Sequence, residues 1–276
     1  MTLPLDAGRT VNVPFRAYRR LALAALRSLT AYPMSFAFSM LASAFSALAM
    51  LYLWRAVLSN GRASSGFDWP HMKAYLLVTF VANSLVSAYT DYQMCLRIRQ
   101  GDIAMDLIRP LDYQRARFAE ACGFGLYEAC AGIGAVAVAT LIFGGLPAPS
   151  LRSFGLFLLS AVFVLPLRFG IVYTSGLVTF WTQNYVGVQA ARIALVTFLS
   201  GSLVPLAFFP GWLRVIAGAA PFAGMASTPA LIFGGQLQGA AALRAVGVQA
   251  VWTVALWLLA RAFWLRASRQ LTVNGG

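Results

Sequence analysis

The chain has 276 residues, of which 60% are hydrophobic and only 11% charged, and its mean hydropathy is +0.73. A soluble domain carries roughly 25% charged residues, so the composition excludes a water-soluble globular domain and predicts one all-α membrane domain. The formal net charge of +13 comes mostly from arginines that lie between apolar runs, which is typical of contact with anionic lipid head groups and not of a nucleic-acid-binding face. We therefore expect membrane lipid, and no nucleic acid, as a partner.

The predicted elements begin with a helix at the membrane surface and continue with spans. Residues 14–30 mix arginines with apolar residues and predict an amphipathic interfacial helix. The apolar runs that follow are close to the roughly 20 residues that cross a bilayer, and they predict six transmembrane helices. These spans are residues 32–57, 73–96, 119–143, 153–181, 186–208 and 242–264.

The segment between the last two predicted spans is apolar but too broken to cross. Prolines and glycines divide residues 209–241 into pieces of about a dozen residues, which is shorter than a span requires. Non-helical backbone at membrane depth must be satisfied by the protein itself. The pattern therefore predicts a short re-entrant pair of helices that enters the bilayer and returns to the side from which it came.

The basic residues predict the orientation of the chain. Six spans place both termini on one side, and that side then holds fourteen arginines while the other holds six basic residues. Because cytoplasmic loops are enriched in Lys and Arg, both termini and residues 97–118 are predicted to be cytoplasmic. Residues 209–241 are then predicted to be extracellular.

The most polar internal segment is this predicted cytoplasmic loop, residues 97–118. Gly101 permits a sharp turn, and Asp102 can cap the N-terminus of a helix. Arg109 precedes Pro110, and a residue before proline avoids the helical region, so the helix is predicted to end there. Its apolar stripe consists of Ile103, Leu107 and Ile108. Such a helix fits a cleft on a soluble partner, and it equally fits the surface of the bilayer.

Three charged residues are predicted to lie inside spans. Arg168 falls near the middle of the fourth span, where an arginine costs about 2.5–3.5 kcal/mol on insertion scales. It is therefore expected to face a cavity or a partner, and Asp91 and Glu128 lie at a comparable depth. The three residues are interpreted either as part of a substrate path or as a static structural pair.

The sequence offers no catalytic or metal-binding cluster of its own. One histidine and eight acidic residues are spread over the whole chain, which argues against a membrane enzyme. The only lysine is Lys73, and Ala74 follows it, so the Gly-Lys-Ser/Thr end of a phosphate-binding loop cannot form. If ATP drives this protein, another polypeptide must bind ATP and Mg, and no cofactor is expected on this chain.

Two segments resemble a known transporter family. The run RIRQGDIAMDLIRPLD, residues 97–112, resembles the signature of ABC-2-type transporter permeases in the subfamily whose cytoplasmic loop reads G-x-(L/I)-x-x-x-L-(L/I)-R-P-L. The matching residues are Gly101, Ile103, Leu107, Ile108, Arg109, Pro110 and Leu111. The segment before the last span also looks like the proline-broken helices of that subfamily, through Phe209, Pro210, Pro221, Phe222 and Pro229.

The resemblance implies the permease subunit of an ABC exporter in the bacterial inner membrane. Two such chains, identical or paralogous, would pair, and two copies of a separate ABC ATPase subunit would bind ATP and Mg. Residues 14–30 would be the interfacial elbow, and the five residues of the proline-broken segment would form an extracellular gate. Many such relatives export lipophilic or amphipathic compounds, and this subfamily is linked to cationic ones. The implied coupling residues are Gly101, Asp102, Ile103, Asp106, Leu107, Ile108, Arg109 and Pro110.

A second interpretation is an ion-coupled secondary transporter. Asp91, Glu128 and Arg168 would then form a charge relay across the membrane. Secondary transporters usually show internal repeats with interrupted helices in both halves. Here the broken segment occurs once, near the end of the chain, so the sequence favours the ABC permease.

Overall fold

The computed structural model describes residues 15–30, 33–59, 67–85, 96–97, 103, 106, 111–182 and 185–268. Every regular element within these ranges is helical, in agreement with the predicted all-α class. Two short 3₁₀ turns cover Leu206–Phe208 and Ala223–Met225. The α-helices are α1 Phe15–Thr30, α2 Pro33–Ser59, α3 Trp69–Ser84, α4 Tyr113–Phe143, α5 Leu151–Thr182, α6 Tyr185–Leu199, α7 Gly211–Ala219, α8 Ser227–Phe233 and α9 Gly239–Ser268.

Four of these helices, α2, α4, α5 and α9, are long and apolar enough to cross a membrane. They contain between 27 and 32 residues each, and at 1.5 Å per residue they exceed the roughly 30 Å of a bilayer core. Helix α5 runs through Pro166 without a break. Membrane helices tolerate an internal proline when neighbouring groups satisfy the freed carbonyl.

The second and fifth predicted spans differ from the helices that the structure describes. Helix α3 ends at Ser84, and residues 86–95 lie outside the described part of the chain. Helix α6 ends at Leu199, although we predicted a continuous span to residue 208. Gly201 has a φ of +76°, in the left-handed region that ends helices, and Pro205 follows shortly after. The fifth predicted span is therefore too long at its C-terminal end.

Helix α1 packs along α4 with its arginines exposed. Ala25 is buried in this contact, and Gly123 of α4 lies directly beneath the α1 backbone. A Cβ atom on Gly123 would lie 2.2 Å from the carbonyl oxygen of Ala22. Only glycine permits the two backbones to approach this closely.

The proline-broken segment contains two short helices, α7 and α8, and it is attached to the long helices by hydrogen bonds. Before the segment begins, Tyr75 Oη of α3 donates to the carbonyl oxygen of Gly201 at 2.7 Å, just after the end of α6. Gln249 Nε2 of α9 donates to the carbonyl oxygen of Gly224, also at 2.7 Å. Trp252 Nε1 donates to the carbonyl oxygen of Ala219 at 2.8 Å. These side chains satisfy open backbone in and just before the segment, as an apolar environment requires.

Candidate functional site

Ile103 of the predicted coupling helix is fully buried against the long helices of its own chain. The predicted apolar stripe was interpreted as a docking face or a membrane face, but this member of the stripe is directed inward. Gly101, Asp102, Leu107, Ile108, Arg109 and Pro110 lie outside the described residues. The cluster around Ile103 includes Tyr113 from α4, Phe169, Tyr173 and Leu177 from α5, and Ala260 and Trp264 from α9.

Asp106, the other described residue of this helix, links the loop to α4 through arginines. Its carboxylate lies 2.9 Å from Arg97 Nη1 and 3.7 Å from Arg117 Nη2. The side chains of Asp106 and Arg117 are 7% and 8% exposed, so water screens their attraction little. Burial lowers the pKa of Arg97, but the bond and the charge of Asp106 outweigh that effect and raise the pKa above its ordinary value.

Asp112 connects the start of α4 to α9. Its Oδ1 accepts a hydrogen bond from the backbone N–H of Arg115 at 2.9 Å, which caps the N-terminus of α4. Its Oδ2 accepts a bond from Arg261 Nη1 of α9 at 2.6 Å. The carboxylate of Asp112 therefore caps α4 and also binds α9 through Arg261.

Two further contacts strengthen this junction of α4 and α9. The ring of Tyr113 stacks on Trp264, with the ring centres 4.2 Å apart and the planes 11° from parallel. Gln114 Nε2 donates to the carbonyl oxygen of Trp257 at 3.0 Å. A displacement of the predicted coupling helix would therefore reach α4 directly and reach α5 and α9 through the cluster around Ile103.

Arg168 of α5 contacts α3, and its described partners are neutral. Its Nη1 donates to Asn83 Oδ1 at 2.6 Å and to the carbonyl oxygen of Ala82 at 3.3 Å. No ion pair joins it to Glu128 among the described residues, and Asp91 lies outside them. Sequence reasoning considered only carboxylates as partners and missed Asn83, although an asparagine within an apolar run was a visible signal.

The five residues of the predicted gate all lie in the segment that carries α7 and α8. Phe209 is buried beside α7, and Pro210 caps the N-terminus of that helix. Pro221 and Phe222 form the turn after α7, and Pro229 is buried in the first turn of α8. The segment offers apolar packing and backbone carbonyls held by side chains, so it can cover or restrict a path through the membrane.

The described residues supply no cluster that could hold a metal ion. No group of three or more His, Cys, Asp or Glu in the described part of the chain is placed to hold a metal ion. Charged residues at the predicted loop form ion pairs that join the loop to α4 and the start of α4 to α9. These ion pairs can transmit movement between the loop and the long helices.

Comparison with known proteins identifies the family of the chain. Neither the curated proteins nor the solved structures that were compared with the chain include a match. A family model described as "ABC-2 family transporter protein" matches residues 44–275, which is most of the chain. The matched region contains the four candidate membrane-spanning helices, in part or in full, together with the predicted loop and the proline-broken segment. The chain is a multi-pass membrane protein, and it belongs to the ABC-2 family of transporter permeases.

Proposed function

We propose that this chain is the permease subunit of an exporter that moves a lipophilic or amphipathic compound out of the cytoplasm. Membership of the ABC-2 family implies an ABC ATPase partner. In the proposed assembly, two copies of that ATPase bind ATP and Mg, and a second permease chain, identical or paralogous, completes the path. Both termini lie in the cytoplasm, and the assembly resides in the plasma membrane of a bacterium.

The observation that carries the proposal is the attachment of the predicted coupling helix to three long helices. Ile103 packs between α4, α5 and α9, and Asp106 pairs with Arg97 and Arg117. A helix held in this way can pass a push from a soluble partner into the membrane domain, because packed cores and buried ion pairs move as units. Residues 101–110 are the proposed contact with the ATPase.

The first test is co-purification from the native membrane. The tagged chain, extracted in mild detergent, is expected to bring an ATP-binding subunit with it. We predicted Ile103 and Ile108 on one apolar stripe, but 100° per residue places Ile108 about 140° around the axis of the predicted helix from the buried Ile103. Ile108 is therefore the proposed outward contact.

The variant Ile108→Glu is expected to retain less ATPase, by roughly tenfold or more, because a charge would enter an apolar cleft. Ser28→Glu adds the same charge at an exposed position of α1 and serves as the control. Equal recovery of the ATPase by Ile108→Glu and wild type would reject the proposed contact. Absence of any ATP-binding subunit from the wild-type preparation would reject the proposed function.

A further inference from the structure

Arg168 hydrogen-bonds two neighbouring residues of α3, and each of those residues lines a different cavity. Its hydrogen bonds reach Asn83 and Ala82, which are adjacent residues of that helix. Asn83 lines a cavity of about 210 Å³ between α2, α3 and the end of α6. Ala82 lines another of about 300 Å³ between α3, α4, α5 and α8. One guanidinium therefore contacts the walls of both cavities.

The two cavities differ in chemistry. The larger one is lined only by aliphatic residues, phenylalanines and a proline, including Val164 and Pro229. Its volume is about twice the ~150 Å³ of an apolar cavity that accepts benzene, so it holds one short chain or one ring system. The smaller one carries hydroxyl and amide groups in addition to apolar ones, from Ser46, Thr79, Asn83, Thr197 and Ser202.

The geometry of α5 joins the apolar cavity to the positive charge. Val164 in the cavity wall precedes Arg168 by four residues, which places both on the same face of the helix. Arg168 therefore lies one helical turn beyond the wall residue Val164, and the polar end of a chain in the apolar cavity would reach it by extending past that turn. This arrangement matches a molecule with a hydrophobic tail and a charged head.

The charge at this junction selects the sign of the head group. Within the described residues Arg168 has neutral hydrogen-bond partners and no carboxylate, and its buried Nε atom makes no hydrogen bond. Arg192 of α6 adds a second positive charge that repels it. A buried positive charge is stabilised by an anion and destabilised by a cation.

We propose that this junction binds an amphipathic substrate through an acidic head group, a carboxylate or a phosphate, with the tail in the apolar cavity. The inference rests on the proposed export function and narrows its substrate class. It assigns to the head group the opposite sign from the cationic compounds that the family resemblance suggested. Arg168 and Asn83 would hold the head, and Val164 and Pro229 would contact the tail.

Equilibrium binding to the purified chain tests the proposal without any ATPase. The chain is placed in phosphatidylcholine nanodiscs and titrated with dodecyl phosphate, dodecanol and dodecylamine, which share one tail and differ in the charge of the head. Dodecyl phosphate is expected to bind roughly tenfold or more tightly than dodecanol, since hydrogen bonds to a charged group are the stronger ones. Dodecylamine is expected to bind most weakly. Equal or tighter binding of dodecylamine would overturn the proposal.

Variants then locate the site. Arg168→Gln is expected to weaken dodecyl phosphate binding roughly tenfold or more, and Arg168→Lys to restore part of it. Val164→Phe should weaken dodecyl phosphate and dodecanol alike, because it fills the apolar cavity. Arg152→Gln removes an exposed arginine at the other end of α5 and should change neither. Affinity of Arg168→Gln within twofold of wild type would overturn the assignment.

A competition experiment distinguishes a membrane lipid from a single-chain compound as the natural ligand. Phosphatidylglycerol in the nanodisc is expected to compete with dodecyl phosphate if the natural ligand is a membrane lipid, and not to compete if it is a single-chain compound. Either result supports the site when it depends on Arg168. The comparison of head groups on the wild-type chain needs no variant, so it holds even if Arg168→Gln fails to insert. Failure of binding would leave the co-purification test of the proposed function untouched.

Discussion

At the scale of single residues, the carboxylates near the predicted loop connect helices. Asp112 caps α4 and pairs with Arg261, while Asp106 pairs with Arg97 and Arg117. Removing one partner from a pair that is largely withdrawn from water costs more than removing one from an exposed pair, because the remaining charge is left buried and unpaired. These residues therefore set the rigidity of the path from the loop into the membrane domain.

Removing the charge of Asp112 tests this connection. Asp112→Asn keeps a side chain that can cap α4 but removes the ion pair with Arg261. We expect a loss of about 1–2 kcal/mol, between the values for exposed and buried pairs, and a fall in Tm of several degrees. Thermal unfolding of the purified chain in detergent measures it.

A double-mutant cycle supplies the control for this prediction. Asp112→Asn combined with Arg261→Gln should cost less than the sum of the two single changes, because the second change removes a charge that the first has already left alone. Strictly additive shifts in Tm would show that the two side chains do not stabilise each other. The contact of 2.6 Å would then be energetically silent.

At the scale of helices, α1 and α4 approach each other closely at Gly123. A methyl group there would meet the backbone oxygen of Ala22 at 2.2 Å, and backbone can move away only if the whole of α1 shifts. The arginine face of α1 stays exposed in this arrangement. The glycine therefore allows the amphipathic helix α1 to pack against the side of α4, which is its main contact.

We expect Gly123→Ala to separate α1 from α4 and to destabilise the protein by about 1–3 kcal/mol, as overpacking does. Gly155→Ala in α5 is the matched control, because no atom lies within 4 Å of a Cβ built there, and alanine favours a helix over glycine. Its Tm should stay equal or rise. Trypsin cleavage at Arg19 and Arg20 should become faster in Gly123→Ala only; unchanged cleavage would contradict the proposed role of the glycine.

The stability of the short helices α7 and α8 depends on contacts with neighbouring helices. Each is too short to be stable alone, and the hydrogen bonds that Gln249 and Trp252 make to the segment both come from α9. A movement of α9 would therefore carry this segment with it. That coupling is a reason to regard the segment as part of the moving framework and not as an independent flap.

At the scale of the whole molecule, the energy source distinguishes the two transport interpretations. An ABC permease needs hydrolysis by its partner, whereas a charge relay of Asp91, Glu128 and Arg168 needs an ion gradient. In vesicles containing the complete complex, export is expected to stop when the ATPase subunit is inactivated and to continue when a protonophore collapses the gradient. The converse pattern would favour the secondary transporter.

Much of the fold was predictable because a lipid solvent imposes a simple rule on sequence. Long apolar runs must be helices that satisfy their own backbone, and α2, α4, α5 and α9 follow from such runs. The end of α6 was misplaced because residues 200–208 are as apolar as a span. Composition does not report the turn at Gly201; that turn depends on local backbone geometry.

The candidate site was predictable only in part, for a related reason. A motif of local residues predicted the family, and the family model that matches residues 44–275 confirms that family; the coupling role of the loop stays a prediction. The inward direction of Ile103, the bond between Asp112 and Arg261, and the contact of Arg168 with Asn83 join residues that lie far apart along the chain. No local pattern encodes which residue such a side chain will meet.

By itself, then, the sequence determined a helical membrane protein, its ABC-2 family and the absence of a phosphate-binding loop, because these depend on composition and on short runs of residues. Only the tertiary structure decided which charges pair, where α1 touches α4, and that Arg168 bonds to one residue of a polar cavity and one residue of an apolar cavity. Helix packing decides these contacts, since it brings side chains together through space, and small differences in packing change which partner each polar group finds.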